Sequence, residues 1–157
     1  MMNAPGTDDT FPFDPASYRI CDSVGYLMAR AKGELSRDVE QEVGALDITH
    51  AQASCLVMLA HGRARTVTDL GRELNTDMGS VTRLISRMEK RGLVERQRSD
   101  ADRRIVDLRV TPAGHALVDQ LPAIFCRVLN RRFRGFTEAE IAQFRDMLQR
   151  VIANNTG

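Results

Sequence analysis

Apolar side chains recur at helical spacing along residues 78–91 and, a dozen residues later, at strand spacing. Val81, Leu84, Ile85 and Met88 stand at i, i+3, i+4 and i+7, one stripe along a helix. The opposite face carries Ser80, Thr82, Arg83, Ser86, Arg87 and Lys90, short hydroxyls among long cations. Just ahead, Leu70 and Leu74 hold a shorter predicted helix over 67–74, with Thr66 as N-cap and Asp69 completing a weaker capping box. Asn75-Thr76-Asp77 supplies the turn between them, and Thr76 or Asp77 caps the second helix. Gly92 ends that helix as a C′ glycine does. Residues 93–98 and 105–110 then read as a hairpin, in which Val106, Leu108 and Val110 alternate with Asp107 and Arg109 as in a half-buried strand. The loop from Ser99 to Arg104 is too charged to pack. A helix-turn-helix followed by a two-stranded wing is a winged helix.

Longer helical patterns flank this core. Residues 1–13, with two prolines and two aspartates, read as a flexible arm whose Phe11 and Phe13 could dock on a partner subunit. Asp14-Pro15 is a helix start, and Ile20, Val24, Leu27, Met28, Ala31, Leu35, Val39 and Val43 stripe a helix predicted over 16–46. At ~1.5 Å per residue it spans ~45 Å, more than a domain of this size needs for itself. Thr49 and Gln52 form a capping box for a helix over 49–61. After the wing, Thr111-Pro112 opens a helix carrying Leu117, Leu121, Ile124, Phe125, Val128, Leu129 and Phe133, with a kink expected near 118–121 from Pro122. Thr137 and Glu140 cap a last helix striped by Ile141, Phe144, Met147, Leu148, Val151 and Ile152. The expected class is mainly α with a small β-hairpin wing: a winged helix-turn-helix at 49–111 between dimerisation helices at 14–48 and 112–157. A symmetric homodimer sets two recognition helices about 34–36 Å apart, one DNA turn, over a palindromic site.

Charge sharpens this picture. The chain carries a net charge of only +1, yet residues 83–109 hold nine cations against five anions, an excess of +4. Hydroxyls and guanidinium forks on the second helix can reach base edges, while Arg98, Arg103 and Arg104 extend the basic surface into the hairpin. Other chemistries find little support. There is no nucleophile elbow, phosphate-cradling glycine loop or H-E-x-x-H, so neither an enzymatic centre nor a cofactor is expected. His50, His61 and His115 are scattered, and no metal site is expected from them. Cys21, Cys55 and Cys126 are isolated and odd in number, which suits a reducing cytoplasm. No stretch of 18 apolar residues and no secretory signal pattern occurs, so no membrane association is expected.

The run from Asp77 to Leu84, Arg91-Gly92-Leu93-Val94-Glu95-Arg96, Asp102-Arg103-Arg104 and Leu108 to Gly114 together resemble the MarR family of bacterial transcription regulators. The family's wing pattern, Asp-x-Arg followed by an apolar-Thr-x-x-Gly ending, is met by Asp102, Arg104, Val110, Thr111 and Gly114. The resemblance implies a dimeric repressor on double-stranded DNA, with Arg104 entering the minor groove and Asp102 holding a neighbouring arginine. It also implies that a small aromatic or phenolic acid releases the operator from a site between the first two long helices and the winged helix. Tyr18, Arg19, Asp22, Tyr26, His50, Ser54, His61 and Arg63 are the polar or amphipathic residues near that junction. Arg19 or Arg63 could supply the fork for a carboxylate, and Tyr18 or Tyr26 a ring wall. One branch of the family senses peroxide through an early cysteine, which makes Cys21 an alternative redox switch. A further alternative of another class is a winged helix that docks protein rather than DNA.

Overall fold

The computed structural model describes residues 12–154. The expected N-terminal arm, Phe11 included, lies outside them except for Pro12 and Phe13, and Phe13 is exposed. The chain divides into two compact units, one up to Glu34 and the other from Leu35 onward.

In the first unit the long helix starts later than its stripe suggests. Asp14 closes only one turn, its carboxylate accepting the Ala16 N–H at 3.0 Å. A 3-10 turn, Ile20–Asp22, follows, and Ser23 is extended (φ −71°, ψ 143°). Ser23 then starts the helix afresh: its hydroxyl accepts the Tyr26 N–H at 3.3 Å and its carbonyl the Leu27 N–H at 3.0 Å. Helix α1 is therefore Val24–Val43, 20 residues rather than the expected 16–46, or about 30 Å. A second 3-10 turn, Gly44–Leu46, ends on Asp47 in the left-handed region (φ 54°).

The second unit holds the winged helix. Helix α2, His50–Ala60, opens on the expected box: Gln52 N–H donates to the Thr49 hydroxyl at 3.2 Å and Thr49 N–H to the Gln52 side chain at 3.0 Å. Helix α3, Val67–Glu73, is capped in the same way by Thr66 and Asp69. Asn75 turns the chain at φ 48°, a conformation asparagine tolerates well. Helix α4, Met78–Lys90, is capped by Asp77 and not Thr76, the Asp77 carboxylate accepting the Ser80 N–H at 2.9 Å. Gly92 ends it at φ 70°. Strands β1 (Val94–Arg98) and β2 (Val106–Val110) pair antiparallel, Val94 opposite Val110 and Arg98 opposite Val106. The core lies where Val81, Ile85 and Met88 of α4 meet Leu56 of α2, Leu70 of α3 and the strand residues Val94 and Leu108.

Two expectations fail locally. In β2 the alternation is broken: Val106 is 42 % exposed, while Asp107 is buried beside Leu108. An ion pair with Arg65, at 3.0 Å, outweighs the apolar pattern there. The helix after the wing does not kink but breaks, into α5 (Pro112–Val118) and α6 (Leu121–Arg132). Pro122 falls in the first turn of α6, where its missing N–H leaves no bond unmade. Helix α7, Glu138–Ala153, has its Thr137–Glu140 capping box but no buried residue.

Candidate nucleic-acid interface

Helix α4 separates its two faces cleanly. Val81, Ile85 and Met88 are buried, while Thr82, Arg83, Arg87 and Lys90 are exposed. The exposed side chains are partly ordered by their neighbours. Asp77 accepts the Ser80 hydroxyl at 2.6 Å, and Ser80 in turn accepts from an Arg83 guanidinium N–H at 3.2 Å. The Ser80 hydroxyl and backbone N–H hold the Asp77 carboxyl below the usual range. Asp77 is thus a cap for α4 and, through Ser80, a strut for Arg83. The Thr82 hydroxyl donates to the Met78 carbonyl at 2.8 Å, which leaves the side chain no hydrogen-bond donor to offer outward.

The wing places its cations at the tip. Ser99 and Ile105 close the loop through a backbone bond of 2.9 Å. Asp102 accepts the Arg104 backbone N–H at 3.0 Å and its guanidinium at 3.2 and 3.4 Å. Those bonds hold the Asp102 carboxyl low, yet the Arg104 side chain remains 91 % exposed. Arg98 and Arg103 are exposed on the same hairpin. Some of the local cations serve the fold instead. Arg96 pairs with Glu89 at 2.8 Å and reaches the Ser86 hydroxyl at 3.4 Å, so half-buried Ser86 faces the wing. Arg91 binds Asp47.

A separate cavity of about 340 Å³ opens in the second unit between α1, α2 and α6. Leu35, Val39, Val57, Met58, Phe125 and Leu129 supply apolar walls, and His50 and Ser54, one turn apart on α2, supply polar groups. His61 and Arg63 are not part of its lining: His61 Nδ1 lies 2.9 Å from the Val57 carbonyl, and Arg63 pairs with Glu73 at 3.4 Å. In the first unit, Tyr18, Arg19 and Asp22 line a hollow of about 220 Å³ with Phe13 and Asp14, and Tyr26 accepts from Arg30 at 3.5 Å. Cys21 and Cys126 are exposed; Cys55 is buried, which pushes its thiol up to about 12. No group of three or more metal-ligating side chains occurs among the described residues.

These features have counterparts in known proteins. The MarR family model matches residues 48–106, from the start of α2 into β2. The chain is 25 % identical to the HTH-type transcriptional repressor IacR of Pseudomonas putida over 163 aligned positions, covering 98 % of both chains. The chain belongs to the MarR family. A MarR mutant of Escherichia coli solved in complex with operator DNA shares 26 % identity at a TM-score of 0.73, over 81 % of this chain and 91 % of that one. The structure of Bordetella bronchiseptica BpsR, described as regulated in its DNA binding by 6-hydroxynicotinic acid, shares 27 % at 0.75, over 85 % and 96 %.

As a MarR-family protein the chain is a sequence-specific DNA-binding transcriptional regulator and not an enzyme. No single helix among the described residues is long and apolar enough to cross a membrane. Arg65, Asp107 and the structural role of Arg96 escaped sequence reasoning. The only signal was an aspartate in an apolar strand, which the alternation turned outward.

Proposed function

We infer that this MarR-family regulator is a cytoplasmic homodimeric repressor, released from a palindromic operator by a small aromatic acid bound between α1, α2 and α6. The observation that carries the reading is the position of α2. It is one wall of the 340 Å³ cavity, and it also packs against α3, α4, β2 and α5. A ring inserted against Phe125 and Leu129, with its polar end at His50 and Ser54, pushes on the helix that carries the DNA-binding head. The ligand acts only through different affinity for the two arrangements of that head. The regulation of BpsR by 6-hydroxynicotinic acid and the repressor role in the name of IacR support the choice.

On the DNA side, Arg83 and Thr82 read bases in the major groove, with Ser80, Ser86, Arg87 and Lys90 beside them. Arg98 and Arg103 hold phosphate, and Arg104, braced by Asp102, enters the minor groove. Dimerisation is supported by the apolar side chains that α7 leaves exposed, Phe144, Met147, Val151 and Ile152. The test is a mobility shift on a duplex selected by the protein from a random-sequence pool, titrated with aromatic acids and separately with peroxide. Release by an acid, lost in His50→Ala with DNA binding intact, is the expected result. Release by peroxide alone, abolished in Cys21→Ser, contradicts it, as does selection of no duplex at all.

A further inference from the structure

Asp107 is the one charged residue that is buried among the described residues, at 8 % exposure. An ionised carboxylate there is tolerable only with a close partner. Arg65 supplies it, a guanidinium nitrogen at 3.0 Å, and is bound to the same region twice more. Its carbonyl accepts the Leu108 N–H at 2.7 Å, and its own N–H donates at 2.9 Å to Asp69, the carboxylate that caps α3. One residue thereby ties β2 to the first helix of the helix-turn-helix.

The wing needs such a tie. Val94 and Leu108 bury the base of the hairpin, but further out Ile105 and Val106 are exposed, so the outer half has no buried apolar side chain to hold it. Each strand instead has one ion pair to a different helix. On β1 it is Arg96 to Glu89 of α4; on β2 it is Asp107 to Arg65, just ahead of the α3 N-cap Thr66. We propose that the Arg65–Asp107 pair is a positioning device that fixes the angle at which the wing, and Arg104 at its tip, meets DNA held by α4. The proposal rests on the reading of α4 and the wing as DNA contacts. Arg104 lies in the turn three residues before Asp107, so the lever between them is at most about 10 Å at ~3.3 Å per residue. A rocking of about 6° at Asp107 displaces the tip by about 1 Å, enough to forfeit a hydrogen bond.

The test compares wild type, Asp107→Leu, Arg104→Ala and the double variant on the selected duplex, with affinities, hydroxyl-radical footprints for the minor groove and dimethyl sulfate protection of guanine N7 for the major groove. Asp107→Leu gives the strand an apolar residue and leaves a solvated Arg65, whose side chain is already 71 % exposed. Thermal unfolding checks that it folds, and Arg65→Met is the second route to the same cut. The expected result is a loss of about tenfold in affinity, with minor-groove protection by the wing gone and major-groove protection kept. Arg104→Ala then costs nothing further in the Asp107→Leu background, and Asp107→Asn, which keeps an acceptor for Arg65, restores the footprint. Additive losses or an unchanged footprint overturn the proposal, because a merely structural residue does not couple to Arg104. If Arg104→Ala binds like wild type, the wing does not touch DNA; that outcome refutes the underlying reading and the proposal together.

Discussion

At Thr82 the chemistry of a single group decides what a substitution does. Its one hydroxyl proton is already given to the Met78 carbonyl, so on the proposed reading Thr82 offers DNA no donor and its methyl packs on a thymine methyl in the major groove. Thr82→Val is therefore expected to bind the selected duplex within about twofold of wild type, and Thr82→Ser to lose more; equilibrium titration of both variants checks this. Cys55 gives a second expectation. Its thiol, raised to about 12 by burial, stays protonated near neutral pH and is not nucleophilic. Brief alkylation of the native protein should label Cys21 and Cys126 and spare Cys55, as read by mass spectrometry of peptides. The same scale shows why some residues were legible in sequence and others not. Thr49, Thr66, Asp77 and Thr137 announce themselves because a cap acts on residues three positions away. Asp107 and Arg65 are 42 positions apart, and only the fold brings them to 3.0 Å.

Among the elements, α5 starts in close contact with the backbone ahead of β1. The Gly114 N–H donates to the Thr111 hydroxyl at 3.1 Å, and the Thr111 N–H donates to the Leu93 carbonyl at 3.1 Å. A Cβ at Gly114 would stand 2.3 Å from that same carbonyl, a backbone atom that cannot swing aside. Gly114→Ala is expected to destabilise the protein by about 1–3 kcal/mol through overpacking, measured as a shift in the urea midpoint. A wild-type midpoint would contradict the close approach. The glycine in the apolar-Thr-x-x-Gly ending is thus explained by contact with Leu93, just ahead of β1, and with Val110 of β2, which no local pattern foretells. Element order was readable because stripes and caps agree over most of the chain. The start of α1 was not, since Asp14-Pro15 and Ser23 both look like helix starts and only one begins a long helix. Pro122 inside a helical stripe predicts a kink, whereas in the structure it opens a new helix.

For the whole molecule, charge pairs link the ends of the second unit. Asp38 pairs with Arg132 and Arg131, and Glu42 with Arg131 and Arg127, joining α1 to α6 beside the cavity. The Arg132 hydrogen bond holds the Asp38 carboxyl low, and those of Arg131 and Arg127 do the same for Glu42. A carboxyl lowered on folding contributes stability that is complete above its unfolded value of about 4 and is lost as pH falls through the folded value. Asp38→Asn with Glu42→Gln should therefore flatten the acid limb of a stability–pH curve and leave the slope near neutral pH unchanged. An acid limb of unchanged steepness would mean the pairs are fully solvated. Helix α7 leaves Phe144, Met147, Val151 and Ile152 exposed, and on the proposed reading two chains meet there and act on one duplex. The most direct measurement is an equilibrium titration of the selected duplex across a range of salt, with binding stoichiometry. Two chains per duplex are expected, with a log–log salt slope that flattens by about one in Lys90→Ala. A single chain per duplex, showing no preference among sequences at moderate ionic strength, would contradict the account.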